Sequence, residues 1–144
     1  MSMIATPPML FPSVPWFKEL ARRAHEDDTL RRLGVVDTRV GLRIGEHAYR
    51  LTFDGWDVEV VQGDDVVDFT IEASMAAWRE LIEHIHERGS ADSAHTLNSL
   101  VAKGDVFRLS GAEQLGVDCF YRFNASLQAF IELAAAVPSV YRRS

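Results

Sequence analysis

Between residues 36 and 73 the chain alternates apolar and polar side chains with a period of two, and this restricts its fold more than any other feature. Val36, Thr38, Val40, Leu42 and Ile44 alternate with Asp37, Arg39, Gly41 and Arg43. In a strand such alternation places one set on each face, so one face is apolar and the other meets water. The pattern recurs in three further segments: Tyr49, Leu51 and Phe53; Trp56, Val58 and Val60; and Phe69, Ile71 and Ala73. Gly45, Asp54-Gly55 and Gly63-Asp64-Asp65 separate them. An Asp-Gly pair accepts the positive φ of a tight hairpin turn. The reading is an antiparallel meander of four strands joined by short turns.

A sheet that is apolar on one face needs a cover. Ser13 caps a first helix with Pro15 in its first turn, and Trp16, Phe17, Leu20, Ala24 and Leu30 give it an apolar stripe as far as Gly34. Downstream, a helix over 74–88 carries Trp78, Leu81, Ile82 and Ile85, and a shorter one over 91–102 carries Leu97, Leu100 and Val101. Val106–Leu109 reads as a fifth strand returning to the sheet. Ser110-Gly111-Ala112-Glu113 has the form of a capping box, opening helical structure to about Ala136, with a break near Gly116 and a stop at Pro138. Phe120, Phe123, Leu127, Phe130, Ile131 and Ala134 form its apolar face. The expected class is α+β: a curved, mainly antiparallel five-stranded sheet covered on one face by helices, with an N-terminal helix and a long C-terminal one. Residues 1–12 read as an irregular, proline-containing arm, and residues 13–144 as a single domain.

Composition narrows the function. The 144 residues carry a net charge of −6, and the short runs Arg22-Arg23, Arg31-Arg32 and Arg142-Arg143 make no basic stripe, which argues against nucleic acid as a partner. No apolar run reaches the roughly 18 residues of a membrane helix. The single cysteine, Cys119, has no internal disulfide partner, and the opening residues lack the form of a signal peptide. The expected location is the cytoplasm.

The order of elements resembles the sterol carrier protein type 2-like domain family. Asp68-Phe-Thr-Ile-Glu-Ala-Ser-Met-Ala-Ala-Trp-Arg-Glu-Leu-Ile is similar to that family's "D-x-T-I-x-A" strand running into a "W-x-x-L" helix. Gly104-Asp-Val-Phe-Arg-Leu-Ser-Gly-Ala resembles its short strand with a Gly-(Asp/Asn)-basic-apolar pattern. Phe120-Tyr-Arg-Phe-Asn-Ala-Ser-Leu-Gln-Ala-Phe resembles the terminal helix of members associated with α/β-hydrolases. The likeness covers roughly residues 15–136. It implies a tunnel between sheet and helices that takes sterols, fatty acids, acyl-CoAs or related lipids, with no catalytic residues and no cofactor. The "F-x-G-K-L-x-x-x-G-D" run is not intact here, and the connection over 88–103 is longer and more polar; both fall where the tunnel wall lies.

A hydrophobic small-molecule ligand would then meet Phe53, Trp56, Trp78, Leu97, Leu100, Phe107, Phe120, Phe123, Leu127, Phe130 and Ile131. The same set could equally fill its own core. Asn124 shares the arc of Phe120, Leu127 and Ile131; it either bonds a nearby backbone group or, with His95, Asn98 and Tyr121, forms a polar end of the pocket. Glu80 with His84, and Glu83 with His86, share helix faces, but His84 and His86 point about 200° apart. Without a second half of the motif these pairs read as a solvated face, and no metal is expected. No nucleophile elbow, dinucleotide fingerprint or phosphate loop occurs. Three functions fit. The first is a binding or carrier module. The second is a cofactor-independent isomerase, hydrolase or cyclase drawing on His25, His47, His95, Asp118 or Tyr121. The third is an accessory domain of a lipid-metabolising enzyme, contacting a protein partner through the arm or outer sheet face. A homodimer is compatible but not required.

Overall fold

The computed structural model describes residues 7–26, 28–34, 36–55 and 57–143. In chain order these form β1 (Met9–Phe11), α1 (Val14–Glu26), α2 (Asp28–Arg32), β2 (Val36–Ile44), β3 (His47–Gly55), β4 (Asp57–Gln62) and β5 (Phe69–Ala73). There follow α3 (Met75–Arg88), α4 (Leu97–Lys103), β6 (Arg108–Ser110), α5 (Gln114–Glu132), a 3₁₀ turn (Leu133–Ala136) and β7 (Ser139–Tyr141).

The fold is α+β, with a five-stranded sheet in the order β4-β3-β2-β5-β6. Alternation placed β2 correctly, and its Val36, Thr38, Val40, Leu42 and Ile44 are all buried. The four-strand meander is corrected. β2, β3 and β4 are antiparallel neighbours, but β5 lies on the far side of β2 and runs parallel to it. Alternation encodes which face a side chain takes, not which strand sits beside it. The crossing is short because β5 starts where β4 ends: Gln62 is level with Tyr49 and hence Leu42, and Phe69 is level with Val40. The connection passes over the outer face at Gly41, where a β-carbon would lie 2.7 Å from Thr70 Oγ1 and 3.4 Å from Asp64 Cβ. Arg43 Nε donates to Asp64 Oδ2 at 2.8 Å and holds the crossing down.

Aromatic pairs join the helices to the inner face. Phe17 of α1 meets Tyr49 at 5.1 Å, and α5 sets Phe130 against Phe53 at 5.5 Å and Phe120 against Phe69 at 5.6 Å. The one buried hydroxyl of β2, Thr38 Oγ1, donates to Asp68 Oδ2 at 3.0 Å, which also accepts the Arg39 N–H at 2.8 Å.

Several local readings change. Ser13 caps α1 as expected, accepting from Trp16 N at 3.1 Å. Within the segment expected to be irregular, Met9–Phe11 pairs parallel with β7, because Phe11 buries its ring against Trp16 at 4.6 Å. The helix expected over 91–102 begins only at Leu97: Asp92 Oδ1 takes the N–H groups of Ala94 and His95, and this local turn competes with helix. Ser110 does not cap α5. It is still paired with Thr70 in the sheet, and α5 opens at Gln114 with no side-chain cap. No break occurs at Gly116, which lies inside α5.

Burial pushes the Tyr141 phenol up to about 12, helped by the charge of Glu83 and opposed by Arg79, whose guanidinium sits 4.7 Å over the ring. Its hydroxyl oxygen is covered and has no hydrogen-bond partner among the described residues. The unfolded chain, with an ordinary phenol near 10, loses this proton first. Stability is therefore complete below pH 10 and falls as pH rises toward 12, by about 1–2 kcal/mol after allowing for partial exposure of the ring. Tyr141→Phe is expected to match or exceed the parent at pH 7, since an unpaired buried hydroxyl costs about 1–3 kcal/mol, and to show a flatter alkaline decline. Urea unfolding at pH 7 and pH 11 checks both; a variant weaker at pH 7 with an unchanged alkaline decline would contradict this reading.

Candidate functional site: a groove beside helix α3

α3 is set by Ser74, which accepts from Ala77 N, and ends at Gly89. Its buried face carries Trp78, Leu81, Ile82 and Ile85. Trp78 lies against the sheet, donating from Nε1 to Arg43 O at 2.9 Å, and its ring packs edge-on against Phe107 at 5.0 Å. Phe107 precedes β6, so the chain between Gly104 and Phe107 is drawn close to α3. α4, capped by Thr96 and closed by Gly104, packs against α5 and turns Leu100 toward this space.

These elements leave a half-open groove of about 200 Å³. Ala77 and Leu81 of α3, Leu100 of α4, and Val106 and Phe107 give it apolar walls, with Ala94 closing one end. Glu80, His95, Lys103 and Asp105 supply its polar rim. Polar residues of α5 fix the wall from behind. Gln128 Oε1 accepts the Leu97 N–H at 2.7 Å, and Glu132 Oε2 accepts the Ala91 N–H at 3.0 Å and the Gln128 amide at 3.0 Å.

Of the residues singled out from sequence, His95, Leu100 and Phe107 come together here. Phe53, Leu97, Phe120, Leu127, Phe130 and Ile131 are core side chains, each 3% exposed or less, and Trp78 stands behind Phe107. Phe123 is half-buried on α5 under the Arg122 guanidinium. Asn124 Nδ2 donates to Tyr121 O at 2.9 Å, satisfied within its own helix. Tyr121 is 57% exposed, and Asn98 is exposed. Trp56 lies outside the described residues. Ala77, Glu80, Leu81, Ala94, Lys103, Asp105 and Val106 also border the groove; for Ala94 and Lys103 the signal in the sequence is the long, polar connection over 88–103.

The histidines divide sharply. His86 Nε2 donates to Val137 O at 2.9 Å, and His25 faces Asp57 at 3.2 Å on the surface. His95 Nδ1 lies 2.7 Å from Asp92 Oδ1, and its ring stacks on His84 at 3.8 Å. The His95 contact, with the Ala94 N–H, holds the Asp92 carboxyl below the usual carboxylate range. Cys119 is half-buried against the core.

A mixed five-stranded sheet with helices on one face and a long C-terminal helix are the features of an SCP2-type fold. Solved structures place the chain there. It superposes on a sterol carrier protein 2 crystal structure with a TM-score of 0.65 at 17% identity, over 87% of this chain and 97% of that one. A conserved hypothetical protein of Thermus thermophilus, described as a possible sterol carrier protein, gives a TM-score of 0.59 at 19% identity over 96% and 99% of the two chains. The UbiJ-SCP2 ubiquinone synthesis protein gives 0.52 at 13%, over 84% and 90%. No family model matches the sequence, and neither does any curated protein. No helix among the described residues is long and apolar enough to cross a membrane.

Proposed function

We propose that the protein is a binding or carrier module for a hydrophobic small molecule of the lipid type, which enters by an apolar end at the groove beside α3. The observation that carries this reading is the set of apolar walls from Ala77, Leu81, Leu100 and Phe107, open to solvent at one side within an SCP2-type fold. The groove lies below the roughly 300–1,000 Å³ usual for drug-sized ligands, so it suits one chain end more than a whole sterol. Apolar surface removed from water contributes about 25 cal/mol per Å², from which the cost of association is subtracted, so this groove alone supports only weak binding. Tighter binding requires the guest to go further, displacing Phe107 or Leu97 toward the aromatic core.

Affinity should therefore climb with chain length. Each added methylene contributes about 0.8 kcal/mol, or roughly fourfold, until the groove is full. Calorimetric titration with straight-chain carboxylates of increasing length checks this, and Leu100→Glu is expected to weaken binding at least tenfold while leaving the fold intact. Affinities independent of chain length, or indifferent to Leu100→Glu, would refute the proposal.

A further inference from the structure

We propose that His84, Asp92 and His95 form a binding site for a divalent transition-metal ion of the zinc class, at the outer edge of α3. One ligand atom from each residue lies within 4.8 Å of the other two. His84 Nε2 stands 3.7 Å from Asp92 Oδ2, and His95 Nδ1 stands 2.7 Å from Asp92 Oδ1. Two ligands about 2.1 Å from a tetrahedral zinc ion lie about 3.4 Å apart, so these separations bracket the required edge. Two imidazoles and a carboxylate suit zinc, cobalt or nickel better than the hard cations, which prefer all-oxygen sites.

The surroundings favour a cation. Glu80, one turn before His84, borders the same depression as both histidines and adds negative charge beside them. Glu83 and Glu87 add negative charge there, and Arg79 is paired with Glu83. His84 keeps only 13% of its side chain exposed, so its orientation is held by packing. Three contacts must give way on binding. The rings, stacked 18° from parallel, fan apart, the 2.7 Å hydrogen bond between His95 Nδ1 and Asp92 Oδ1 opens, and His84 Nε2 releases the Asp92 N–H that it accepts at 3.2 Å. Asp92 and His95, which move, lie in the 91–96 segment, where the backbone is not in a helix or strand.

The test is isothermal titration of the full chain, stripped with chelator, with zinc chloride at pH 7.5. The expected result is one saturable site with a micromolar dissociation constant, lost at least tenfold in His84→Gln and in His95→Ala and unchanged in His25→Ala. Cobalt substitution should add visible d–d absorption that disappears in His95→Ala. His95 is partly exposed, so that variant retains the fold should His84→Gln lose it. Absence of saturable zinc binding, or binding reduced by His25→Ala and not by His95→Ala, overturns the proposal.

Discussion

Trp78→Ala is expected to destabilise the protein by about 3–5 kcal/mol, the range for deleting a large ring from a packed core. Trp78 is 1% exposed, and it closes three contacts at once: Phe107 at 5.0 Å, the sheet through Arg43 O at 2.9 Å, and the core beneath α3. Its loss leaves a void behind the groove and an Arg43 carbonyl without that donor. Trp78→Phe separates these effects: it retains much of the ring packing but removes the indole N–H, so a smaller cost of about 1–3 kcal/mol is expected. Urea unfolding measures both. A change below 1 kcal/mol in Trp78→Ala would mean that Phe107 does not depend on Trp78 for its position.

Gly116→Ala is the second large effect, and its sign opposes helix propensity. Alanine in place of glycine inside a helix ordinarily gains up to about 1 kcal/mol. Here a β-carbon at position 116 would collide with Asp68 O and lie 3.0 Å from Asp68 C. That neighbour is backbone, and it is pinned: Asp68 N donates to Arg39 O at 2.8 Å, and Asp68 Oδ2 holds Thr38 and the Arg39 N–H. α5 must move off the sheet, with an expected net loss of about 2–3 kcal/mol. Thermal unfolding of Gly116→Ala beside Gly34→Ala gives the comparison, because Gly34 has open space around its Cβ direction but a positive φ of 99°. A stabilised Gly116→Ala would show that α5 does not approach Asp68 this closely.

Much of the fold could be read from alternation and helical stripes, since these report the face each residue takes. β2 came out residue for residue, and the buried sets of α1, α3 and α5 lie on the expected faces. Neighbour relations were not readable in that way. The placement of β5 depends on the stagger of β4, and the close approach at Gly116 depends on where Asp68 is pinned. Local competition hid more: the Asp92 turn shortened α4, and pairing of Ser110 with Thr70 removed a capping box that looked complete in sequence. The site was partly visible. Leu100, Phe107 and His95 border one groove, yet an apolar stripe cannot distinguish rings that line a space from rings that fill one. Phe53, Phe69, Phe120 and Phe130 fill it, pairing across the two layers. Glu80 and His84 were recognised as sharing a face, but their partners stand on a segment whose fold back onto α3 is set by Gln128 and Glu132 of α5.

The groove is the centre of this account, and amide chemical-shift mapping of the ¹⁵N-labelled protein with a medium-chain carboxylate addresses it most directly. Saturable shifts are expected at Ala77, Leu81, Leu100 and Phe107, and they should be lost in Leu100→Glu. Saturable shifts confined to surfaces away from α3 and α4, or no shifts at ligand concentrations of several millimolar, would contradict it.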